Sequence, residues 1–599
     1  MAELENRRAA LSPKKQALLA QRLRSEVRRD EPPPIPRRAA AGPARLSFAQ
    51  ERLWFLAQWQ PGGTAYNLLD VIRLAGRLDV AALAAALRLT VERHESLRTV
   101  FVEAAGVPFQ RVGPVPGQLL PLVDLSALPH PRCQATAHAL AAAQAGVAFD
   151  LARGPLFRAR LLRLGEHEHL LVLVTHHIVA DLWSFGVLIG ELSSGYDAAR
   201  AGRRQPLAAL PLQYADWSVW QRSWLTGEVL ERRLAYWRRQ LAGAPQVLEL
   251  PADRPRPAAQ RFRGALLPFS LPAPLGTGLR AAAQAVGATP FMAFFTAFAV
   301  LLHRCSGQDD LLVGSPVAGR TRPELARLVG LFVNTLVLRT GLEGDPTLLE
   351  LLGRVRETVL GALAHQDLPF EGLVDELQPF RDPSRPPLVQ VMFVFQDVPA
   401  PAPGLSGLTL TPLVDFDSGT AKVDLTMVLT ESGGGIAGVV EYDIDLFDRT
   451  RIQRFAAHFR QLLEALAAEP RRRVSSCCLL SPAERHQLVV EWNAGCAGPV
   501  GAATTVGMVD AAGAATAAPC LHELFAAQAA RTPEAVAVVC EGEHLSYGAL
   551  AARAGRLAAR LRRLGVGAET RVGLCVERSL AMVEGIVGIL AAGGAYVPL

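Results

Sequence analysis

Apolar and polar residues follow each other along the chain in two successive blocks, and each block mixes helical and extended patterns. In the first block, from about Leu46, apolar positions recur at helical spacing over 81–98 and 182–200, and the continuous apolar run at 169–175 is typical of a buried strand. The second block, from about Leu230, contains helical patterns over 279–303 and 347–364 and strand-like runs over 311–317, 332–338 and 389–395. This alternation predicts an α/β fold with two lobes of similar size.

Both ends of the chain differ from these blocks. Residues 8–29 carry leucines at helical spacing and lead into a PPPIPRR stretch, which predicts a short amphipathic helix and a stiff Pro/Arg-rich linker within 1–42. Further on, 479–492 predicts one last helix, and the Ala-, Gly-, Thr- and Val-rich stretch 495–519 has the composition of a linker. A new periodic pattern then occupies 521–599.

The composition is that of a globular protein, because 50% of the 599 residues are hydrophobic and 20% are charged. The net charge of +6 would suit a nucleic-acid partner, but only Lys14, Lys15 and Lys422 are lysines and the arginines are spread over the chain. A phosphate-binding surface would show clustered cations. The clusters at 22–38 and 471–473 lie beside linker-like sequence, which favours solvated runs, so we expect no nucleic-acid partner.

Cysteine usage and hydropathy predict a cytoplasmic protein without membrane association. The eight cysteines include no CxxC pair, so zinc and thioredoxin-like chemistry lack support, and free thiols indicate a reducing compartment. Residues 1–30 are charged throughout, unlike a signal peptide. The uncharged run 281–302 is long enough to cross a membrane, but helix-breaking residues interrupt it. Thr289 followed by Pro290 predicts a helix start, so we expect two buried helices there.

The candidate chemistry begins with HHIVAD at 176–181, directly after the apolar strand. Adjacent strand residues point to opposite faces, so only one of His176 and His177 can face a given cavity. An imidazole held at a strand end can act as a general base near neutral pH, and Asp181 could close the turn and hold a nearby arginine. Two core histidines followed by a helix-capping aspartate would produce the same pattern.

Six further motifs occur in a fixed order around HHIVAD. They are SFAQERLWFL at 47–56, RHESLRTVF at 93–101, YADWSVW at 214–220, VGLFVNTLVLR at 329–339, HQDLPFE at 365–371 and RDPSRPPL at 381–388. Together they resemble the core motifs of condensation domains of nonribosomal peptide synthetases over about 43–478. The resemblance implies two chloramphenicol-acetyltransferase-like lobes, about 43–222 and 223–478, that form a V-shaped pseudo-dimer around a tunnel.

The same resemblance implies an acyltransferase that forms an amide between a donor acyl or peptidyl thioester and an acceptor aminoacyl thioester. Donor and acceptor peptidyl carrier proteins would bring these substrates on phosphopantetheine arms, with no cofactor or metal bound by the domain itself. His177 would face the tunnel and deprotonate or orient the attacking amine. His176 and Asp181 would hold the loop, with Arg320 as the salt-bridge partner of Asp181.

The resemblance also implies supporting residues around this centre. Trp183 and Ser184 follow the aspartate, Arg52 and Trp54 would anchor the first strand–helix segment, and Asn334 would satisfy backbone groups near the lobe interface. The remaining expectations are a buried charge network of Arg93, Glu95 and Arg98, and a lobe-bridging loop that contains Gln366 and Asp367.

Two positions depart from the family pattern. Leu182 stands where the family usually has glycine, and Pro386 stands where asparagine is common. Leucine adds bulk near the tunnel, whereas glycine permits close approach or unusual backbone angles. Leu182 is therefore a tolerated variant on the first turn of a helix, a cause of altered donor preference, or a cause of lost activity.

Residues 521–599 resemble the start of a nonribosomal peptide adenylation domain through LSYGAL at 545–550 and LAAGGAYVPL at 590–599. A phosphate loop, a ribose-binding acid and a catalytic lysine are all missing from this α/β fragment, so we expect no adenylation activity from it. The resemblance predicts either the front of a longer synthetase, with 479–520 as the linker, or an independent truncated protein.

Several other functions use the same fold. Heterocyclisation domains carry DxxxxD, epimerisation domains do not lead into adenylation sequence, and dual epimerisation/condensation domains have an extra His-rich motif that is absent from 43–90. A standalone HxxxD acyltransferase using coenzyme A and a non-catalytic, X-domain-like recruitment platform stay open. If 1–42 marks a true N-terminus, the donor arrives in trans, and 8–29 is the candidate docking element for an upstream synthetase or polyketide synthase.

Overall fold

The computed structural model divides the chain into two compact units, Met1–Ser481 and Pro482–Leu599. The residues it describes are 32–38, 42–203, 207–378, 382–397, 405–413, 416, 418–432, 435–494, 508–509, 515–516 and 520–599. The predicted helix at 8–29 and most of the predicted linker at 495–519 lie outside the described residues.

The first lobe contains most of the elements up to residue 224. Its strands are β1 (Ala44–Arg45), β2 (Asn67–Gly76), β3 (Thr99–Ala104), β4 (Val107–Val112), β5 (Leu122–Asp124), β6 (Phe157–Gly165) and β7 (Glu168–His176). Its helices are α1 (Phe48–Trp59), α2 (Val80–Arg93), α3 (His130–Ala145), α4 (Leu182–Arg200) and α5 (Tyr214–Trp224). The predicted strand and both predicted helices of this block are present, although the helical pattern over 81–98 divides into α2 and a 3₁₀ turn at Glu95–Arg98.

The second lobe continues the alternation of helices and strands. Its helices are α6 (Gly227–Leu241), α7 (Ala273–Ala285), α8 (Pro290–Ser306), α9 (Leu348–Ala364), α10 (Phe370–Leu377) and α11 (Arg449–Ala468). Its half of the chain holds the strands β8 (Gly264–Leu271), β9 (Asp310–Val317), β10 (Asn334–Gly341), β11 (Val391–Asp397), β12 (Leu408–Pro412), β13 (Leu425–Ser432) and β14 (Gly435–Asp443).

Each lobe is built on one main sheet, and β1, β4 and β3 form a further three-stranded sheet beside the main sheet of the first lobe. The first sheet has the order β12-β2-β7-β6-β5, with α2 and α4 packed on one face and α3 on the other. The second sheet has the order β10-β9-β11-β13-β14-β8, and its core includes α7, α8, α9 and α11. The strand β7 lies between β2 and β6, and helices cover both faces of the sheet there. Its side chains are therefore buried on both faces, which explains its unbroken apolar pattern.

One strand does not follow the division of the lobes by sequence. The strand β12 belongs by position to the predicted second lobe, 223–478, but it pairs antiparallel with β2, from Leu408 opposite Gly76 to Pro412 opposite Ile72. This crossover covers the edge of the first sheet and contributes Leu405 to the first-lobe core. The division at about residue 222 is therefore wrong for this segment, because strand pairing between lobes leaves no signal in local periodicity.

The Pro/Arg-rich segment 32–38 packs on the first compact unit, in contrast to the predicted solvated run. Ile35 is buried in a cluster with Trp217 and Trp220, and Arg38 forms ion pairs with Glu95 and Asp216. These contacts explain why a stretch with linker composition has a fixed position.

The buried helices expected around 281–302 are present as α7 and α8. Thr289 caps α8 through its side-chain oxygen, which accepts the N–H of Met292, and Pro290 occupies the first helical turn. Among the described residues, no single helix is long and apolar enough to cross a membrane, and α7 and α8 reach that length only together, across a bend of 99°. The described residues also contain no cluster of three or more His, Cys, Asp or Glu side chains that could hold a metal.

The second compact unit is a small α/β assembly. The predicted helix at 479–492 begins at Pro482 and consists of α12 (Pro482–His486), a π-helical turn (Gln487–Glu491) and α13 (Trp492–Ala494). The elements that follow are β15 (Met508–Val509), β16 (Ala515–Thr516), α14 (Leu521–Arg531), β17 (Val536–Cys540), β18 (Glu543–Ser546), α15 (Tyr547–Arg563), β19 (Arg571–Leu574), α16 (Leu580–Ala592) and β20 (Ala595–Pro598).

The second-lobe core depends on Phe393 of β11, a fully buried ring that lies 5.2–5.6 Å from the rings of Phe291, Phe295 and Phe298. We expect Phe393→Ala to lower the free energy of unfolding of the first unit by about 3–5 kcal/mol, because it leaves a cavity among aromatic rings. Urea denaturation measures this change. The control is Phe55→Ala, since Phe55 is exposed, and equal losses for the two variants would contradict the assignment.

Candidate active site

The turn between β7 and α4 carries the candidate catalytic residues. The strand β7 ends at His176, and Asp181 is the N-cap of α4, so the HHIVAD segment is held between two rigid elements. The side chain of Asp181 accepts the N–H of Ser184 and completes a capping box with it. This cap explains why the helix begins at Leu182, as the sequence pattern predicts.

His176 is a buried histidine that supports the turn. Its side chain is 5% exposed, its Nδ1 accepts the N–H of Ile178 at 3.1 Å, and its ring meets Phe149 edge-on. Burial, with smaller contributions from His177 and Lys422, lowers the pKa of His176 to about 3. His176 is therefore neutral at physiological pH and holds the backbone of the turn.

The second histidine, His177, is held by its backbone and by one ring nitrogen. Its N–H donates to the carbonyl of Tyr66 at 2.8 Å, and its Nδ1 lies 2.8 Å from the carbonyl oxygen of Ala180. Since a carbonyl can only accept, Nδ1 carries the proton and Nε2 keeps its lone pair, for which the described residues provide no donor. Burial and the nearby ammonium of Lys422 lower the pKa of His177 to about 4, against the opposing effects of the Ala180 carbonyl and Asp181.

Asp181 is surrounded by donors from both halves of the domain. Its Oδ1 accepts from Nη2 of Arg320 at 2.9 Å and from the Oγ of Ser184 at 2.7 Å, and its Oδ2 accepts the N–H of Phe332 at 3.0 Å. The ion pair is deeply buried, with side-chain exposures of 3% for Asp181 and 2% for Arg320. The pairing expected from the sequence is thus present, and it ties α4 to the connection between β9 and β10.

Arg320 and Ser184 extend this network into the β9–β10 connection. Nη1 of Arg320 donates to the carbonyls of Leu325 and Leu328 at 2.6 and 2.7 Å, and the guanidinium lies over the ring of Phe332 at 4.2 Å. Gly319 precedes Arg320 with a φ of +63°, and a Cβ there would overlap the carbonyl oxygen of Phe332. Glycine is therefore required next to the arginine.

Leu182 and Trp183 occupy the exposed first turn of α4. Leu182 is 60% exposed and helical, so its position does not use the backbone freedom of glycine. Trp183 donates its ring N–H to the carbonyl of Ala326 at 3.0 Å, which adds a contact between the turn and the β9–β10 connection.

Asn334 satisfies backbone groups, as predicted. Its Nδ2 donates to the carbonyls of Gln366 and Leu368 at 2.8 and 2.7 Å, and its Oδ1 accepts the N–H of Phe370 at 2.9 Å. The side chain of Gln366 donates to the carbonyl of Leu363, and its backbone carbonyl is the group that Asn334 holds. Asn334 therefore fixes the loop between α9 and α10.

An open cleft lies along the β9–β10 connection. The residues that line it include Trp220, Phe332, Asn334 and Glu371. His177 is not one of the lining residues. Phe332 also donates its N–H to Asp181, so the cleft and the histidine turn share a wall.

The expected charge network of Arg93, Glu95 and Arg98 is wrong. Arg93 pairs with Glu191 at 2.8 Å, Glu95 pairs with Arg38, and Arg98 donates to the carbonyl of Gly113 at 2.9 Å. These three side chains leave the end of α2 and the following 3₁₀ turn in different directions. Nearness in sequence therefore does not bring their charges together.

Four residues near the histidine turn form charged and aromatic pairs across the lobes, and the sequence singled out only Arg52. Nη1 of Arg52 lies 3.4 Å from Oε1 of Glu371, and Nζ of Lys422 lies 5.6 Å from the centre of the Tyr66 ring. Lys422 is the one lysine among the described residues. Its rarity in the composition could have drawn attention to it.

Residues 40–489 match the family model of the condensation domain. The chain belongs to the condensation domain family. Residues 525–599 match the model of AMP-binding enzymes. Together with the two α/β lobes, these matches confirm the expected order of a condensation domain followed by the start of an adenylation domain.

Known relatives and solved structures agree with this assignment. The chain is 44% identical over 555 residues to a linear gramicidin synthase protein of Brevibacillus parabrevis, a match that covers 92% of this chain and 7% of that protein. It is also 44% identical over 557 residues to a chondramide synthase of Chondromyces crocatus, over 92% of this chain and 14% of that protein. The chain thus spans only a small part of the length of these relatives.

Two solved structures are similar to the condensation unit. The X-domain from teicoplanin biosynthesis, also solved in complex with OxyB, is 32% identical with a TM-score of 0.69, over 75% of this chain and 100% of that one. The first condensation domain of the calcium-dependent antibiotic synthetase, in complex with a substrate analogue, is 26% identical with a TM-score of 0.65, over 74% and 99%.

The buried pair predicts a large effect on stability. We expect Asp181→Asn to cost about 3–5 kcal/mol of unfolding free energy, because it leaves the guanidinium of Arg320 buried without a counter-charge. Adding Arg320→Met should recover part of this loss, since the uncompensated charge is gone. Urea denaturation of the two single variants and the double variant measures the coupling.

The control is Arg153→Met, which removes an exposed ion pair with Asp150 at 3.8 Å and should change stability by about 1 kcal/mol or less. Additive losses for Asp181→Asn and Arg320→Met would show that the two side chains do not depend on each other.

Proposed function

We propose that the first compact unit forms an amide bond between a donor acyl or peptidyl thioester and an acceptor aminoacyl thioester during nonribosomal peptide biosynthesis. The observation that carries the proposal is the state of His177: its imidazole is neutral, its Nδ1–H is bound to Ala180, and its Nε2 lone pair is free. Such a nitrogen accepts a proton or a hydrogen bond from an attacking amine.

In the proposed reaction, the amine nitrogen of the acceptor attacks the carbonyl carbon of the donor thioester. The C–N bond forms, the C–S bond breaks, and the thiol of the donor arm is released. Nε2 of His177 takes a proton from the nitrogen and passes it to the departing sulfur. Because the thioester is already activated, positioning two tethered substrates can supply up to about 7–11 kcal/mol, and acid–base help adds about 10²–10⁴-fold.

The partners in this proposal are donor and acceptor peptidyl carrier proteins, each with a phosphopantetheine arm that holds its substrate. Residues 8–29 stay the candidate docking element for an upstream synthetase or polyketide synthase, and the cytoplasm stays the proposed location. We propose no adenylation activity for 521–599, because the fragment lacks the phosphate loop, the ribose-binding acid and the lysine of that chemistry.

A second candidate is a recruitment platform without catalysis. It is favoured by the similarity to the teicoplanin X-domain, which has been solved in complex with OxyB. The buried network of Asp181, Arg320 and Ser184 holds the start of α4, next to the Ala180 carbonyl that binds Nδ1 of His177. This favours catalysis instead, since protein recruitment would not need an imidazole held in this way.

Intact-protein mass spectrometry tests the two candidates. An acceptor carrier protein loaded with L-alanine is mixed with donor carriers that bear L-phenylalanyl, L-alanyl or acetyl groups, and the full chain is added. We expect the acceptor to gain the mass of one acyl unit, and His177→Ala to slow this transfer about 10²–10⁴-fold.

The matched control is His130→Ala, an exposed histidine on α3 that should leave the rate unchanged. Transfer at the wild-type rate by His177→Ala would contradict the role of that histidine. Binding of both carriers without transfer from any donor would favour the recruitment platform.

The pKa of His177, lowered to about 4, predicts the pH dependence of its contribution. A histidine with this pKa stays neutral from pH 8 down to about pH 5 and gains its proton only below that range. The ratio of wild-type to His177→Ala rates should therefore be constant between pH 8 and 5, because protonation of the acceptor amine affects both proteins equally. A ratio that falls between pH 7 and 6 would indicate an ordinary histidine pKa.

A further inference from the structure

Lys422 is a cation without a fixed partner beside the histidine turn. It lies between β12 and β13 and is half-buried, and its backbone carbonyl accepts the side-chain N–H of Gln260 at 2.9 Å. Within the part of the chain that the structure describes, no carboxylate lies within ion-pair distance of Nζ. Its one aromatic contact is the ring of Tyr66, 5.6 Å away.

Leaving an ammonium in such a place is unfavourable unless its charge is used. Burial lowers the pKa of Lys422, and the charge of Glu441 only partly opposes this effect. A ring at 5.6 Å offers a weak attraction for the cation but takes none of its three N–H donors as a conventional hydrogen bond. Lys422 therefore has donors available for a group that the protein itself does not provide.

The fold brings this ammonium close to His177. The carbonyl of Tyr66 accepts the backbone N–H of His177, and the ring of the same tyrosine lies under Nζ of Lys422. The charge of Lys422 acts on both histidines of the turn and lowers the pKa of each. The remaining groups that face His177 are His176 from β7 and Asp181 with the Ala180 carbonyl at the start of α4.

The other positive side chains near the turn are already committed. Arg320 is bound by Asp181 and by the carbonyls of Leu325 and Leu328. Arg52 lies against Glu371. His177 cannot donate from Nε2 in its neutral form, because its single ring proton is held on Nδ1. Nε of Arg320 and most N–H groups of Arg52 make no such contact, but a carboxylate balances the charge of each arginine. Among these cations, Lys422 is the one whose charge no described carboxylate balances at ion-pair distance.

We propose that the ammonium of Lys422 stabilises the negative charge that develops on the thioester carbonyl oxygen during condensation. This inference rests on the proposed function. As the amine attacks, the C–N bond forms and the carbonyl π electrons move to oxygen, which accepts a hydrogen bond from Nζ. His177 takes the proton from nitrogen. The carbonyl then re-forms, the C–S bond breaks, and the sulfur receives that proton, while Lys422 keeps its own protons throughout.

The first test is single-turnover transfer between the loaded carriers by the full chain. We expect Lys422→Met to slow transfer about 10²–10³-fold, as removal of one oxyanion donor does, with carrier binding unchanged. Lys422→Arg keeps a cation and should recover at least about tenfold of this loss. The control is Arg261→Met, which removes an exposed cation and should leave the rate unchanged.

The second test needs no substrate. In the full chain with ¹³C-labelled histidine, NMR follows the titration of His177, identified by its loss in His177→Gln. We expect Lys422→Met to raise the pKa of His177 above about 4, although burial still holds it below the ordinary value, and Lys422→Arg to leave it low. A purely structural lysine would not produce this charge-dependent shift.

The outcomes separate the two proposals. If the wild type transfers and Lys422→Met transfers at a rate within threefold of it, the role of Lys422 is overturned and the proposed function is not. An unchanged titration of His177 in Lys422→Met has the same consequence. No transfer by the wild type from any donor overturns the proposed function and the oxyanion role with it. If Lys422→Met fails to fold, the deciding variant is Lys422→Arg. A folded Lys422→Arg protein in which the pKa of His177 is no longer low would contradict the inference.

Discussion

Burying the carboxylate of Asp181 requires donors for its oxygens, and those donors come from both halves of the condensation domain. Ser184 supplies two from α4, while Arg320 and Phe332 supply the others from the β9–β10 connection. The cost of burying a charge makes these contacts mutually dependent, since losing one leaves another group unsatisfied. The turn that carries His177 is therefore positioned by an interaction to which both lobes contribute.

This arrangement separates the task of holding the site from the task of reacting in it. The charges of Asp181 and Arg320 neutralise each other and are enclosed, so this pair fixes geometry and does not take part in proton transfer. His177 keeps a lone pair on Nε2 because Ala180 takes the proton of Nδ1, and Lys422 keeps its donors because no carboxylate in the described chain reaches it. A neutral acceptor beside an uncommitted cation is complementary to an attacking amine and a developing oxyanion, which is the pattern expected of electrostatic preorganisation.

The sequence predicted the parts of this site that depend on local pattern. The apolar run before His176 specifies a buried strand, and Asp181 before an apolar-periodic segment specifies the start of α4, so both boundaries are found as expected. The pairing of Asp181 with Arg320 came from the family resemblance, because 139 residues separate them. The sequence did not predict contacts that no motif marks. Examples are the pairing of β12 with β2 and the contact of Lys422 with Tyr66, which join residues far apart in the chain and form only when the lobes fold. The opposite error arose at Arg93, where nearness in sequence suggested a network that the geometry of a helix end disperses.

Leu182 shows how a departure from a motif can be judged from geometry. A glycine is indispensable where φ is positive or where a Cβ would collide, and both conditions hold at Gly319, next to Arg320. Neither applies at Leu182, which is helical and exposed, so the backbone of the turn tolerates leucine without strain. Its side chain adds apolar surface one residue after Asp181 while the donors to that carboxylate stay in place. Any effect of Leu182 must therefore act through the space and polarity offered to a substrate, and not through the position or charge of His177.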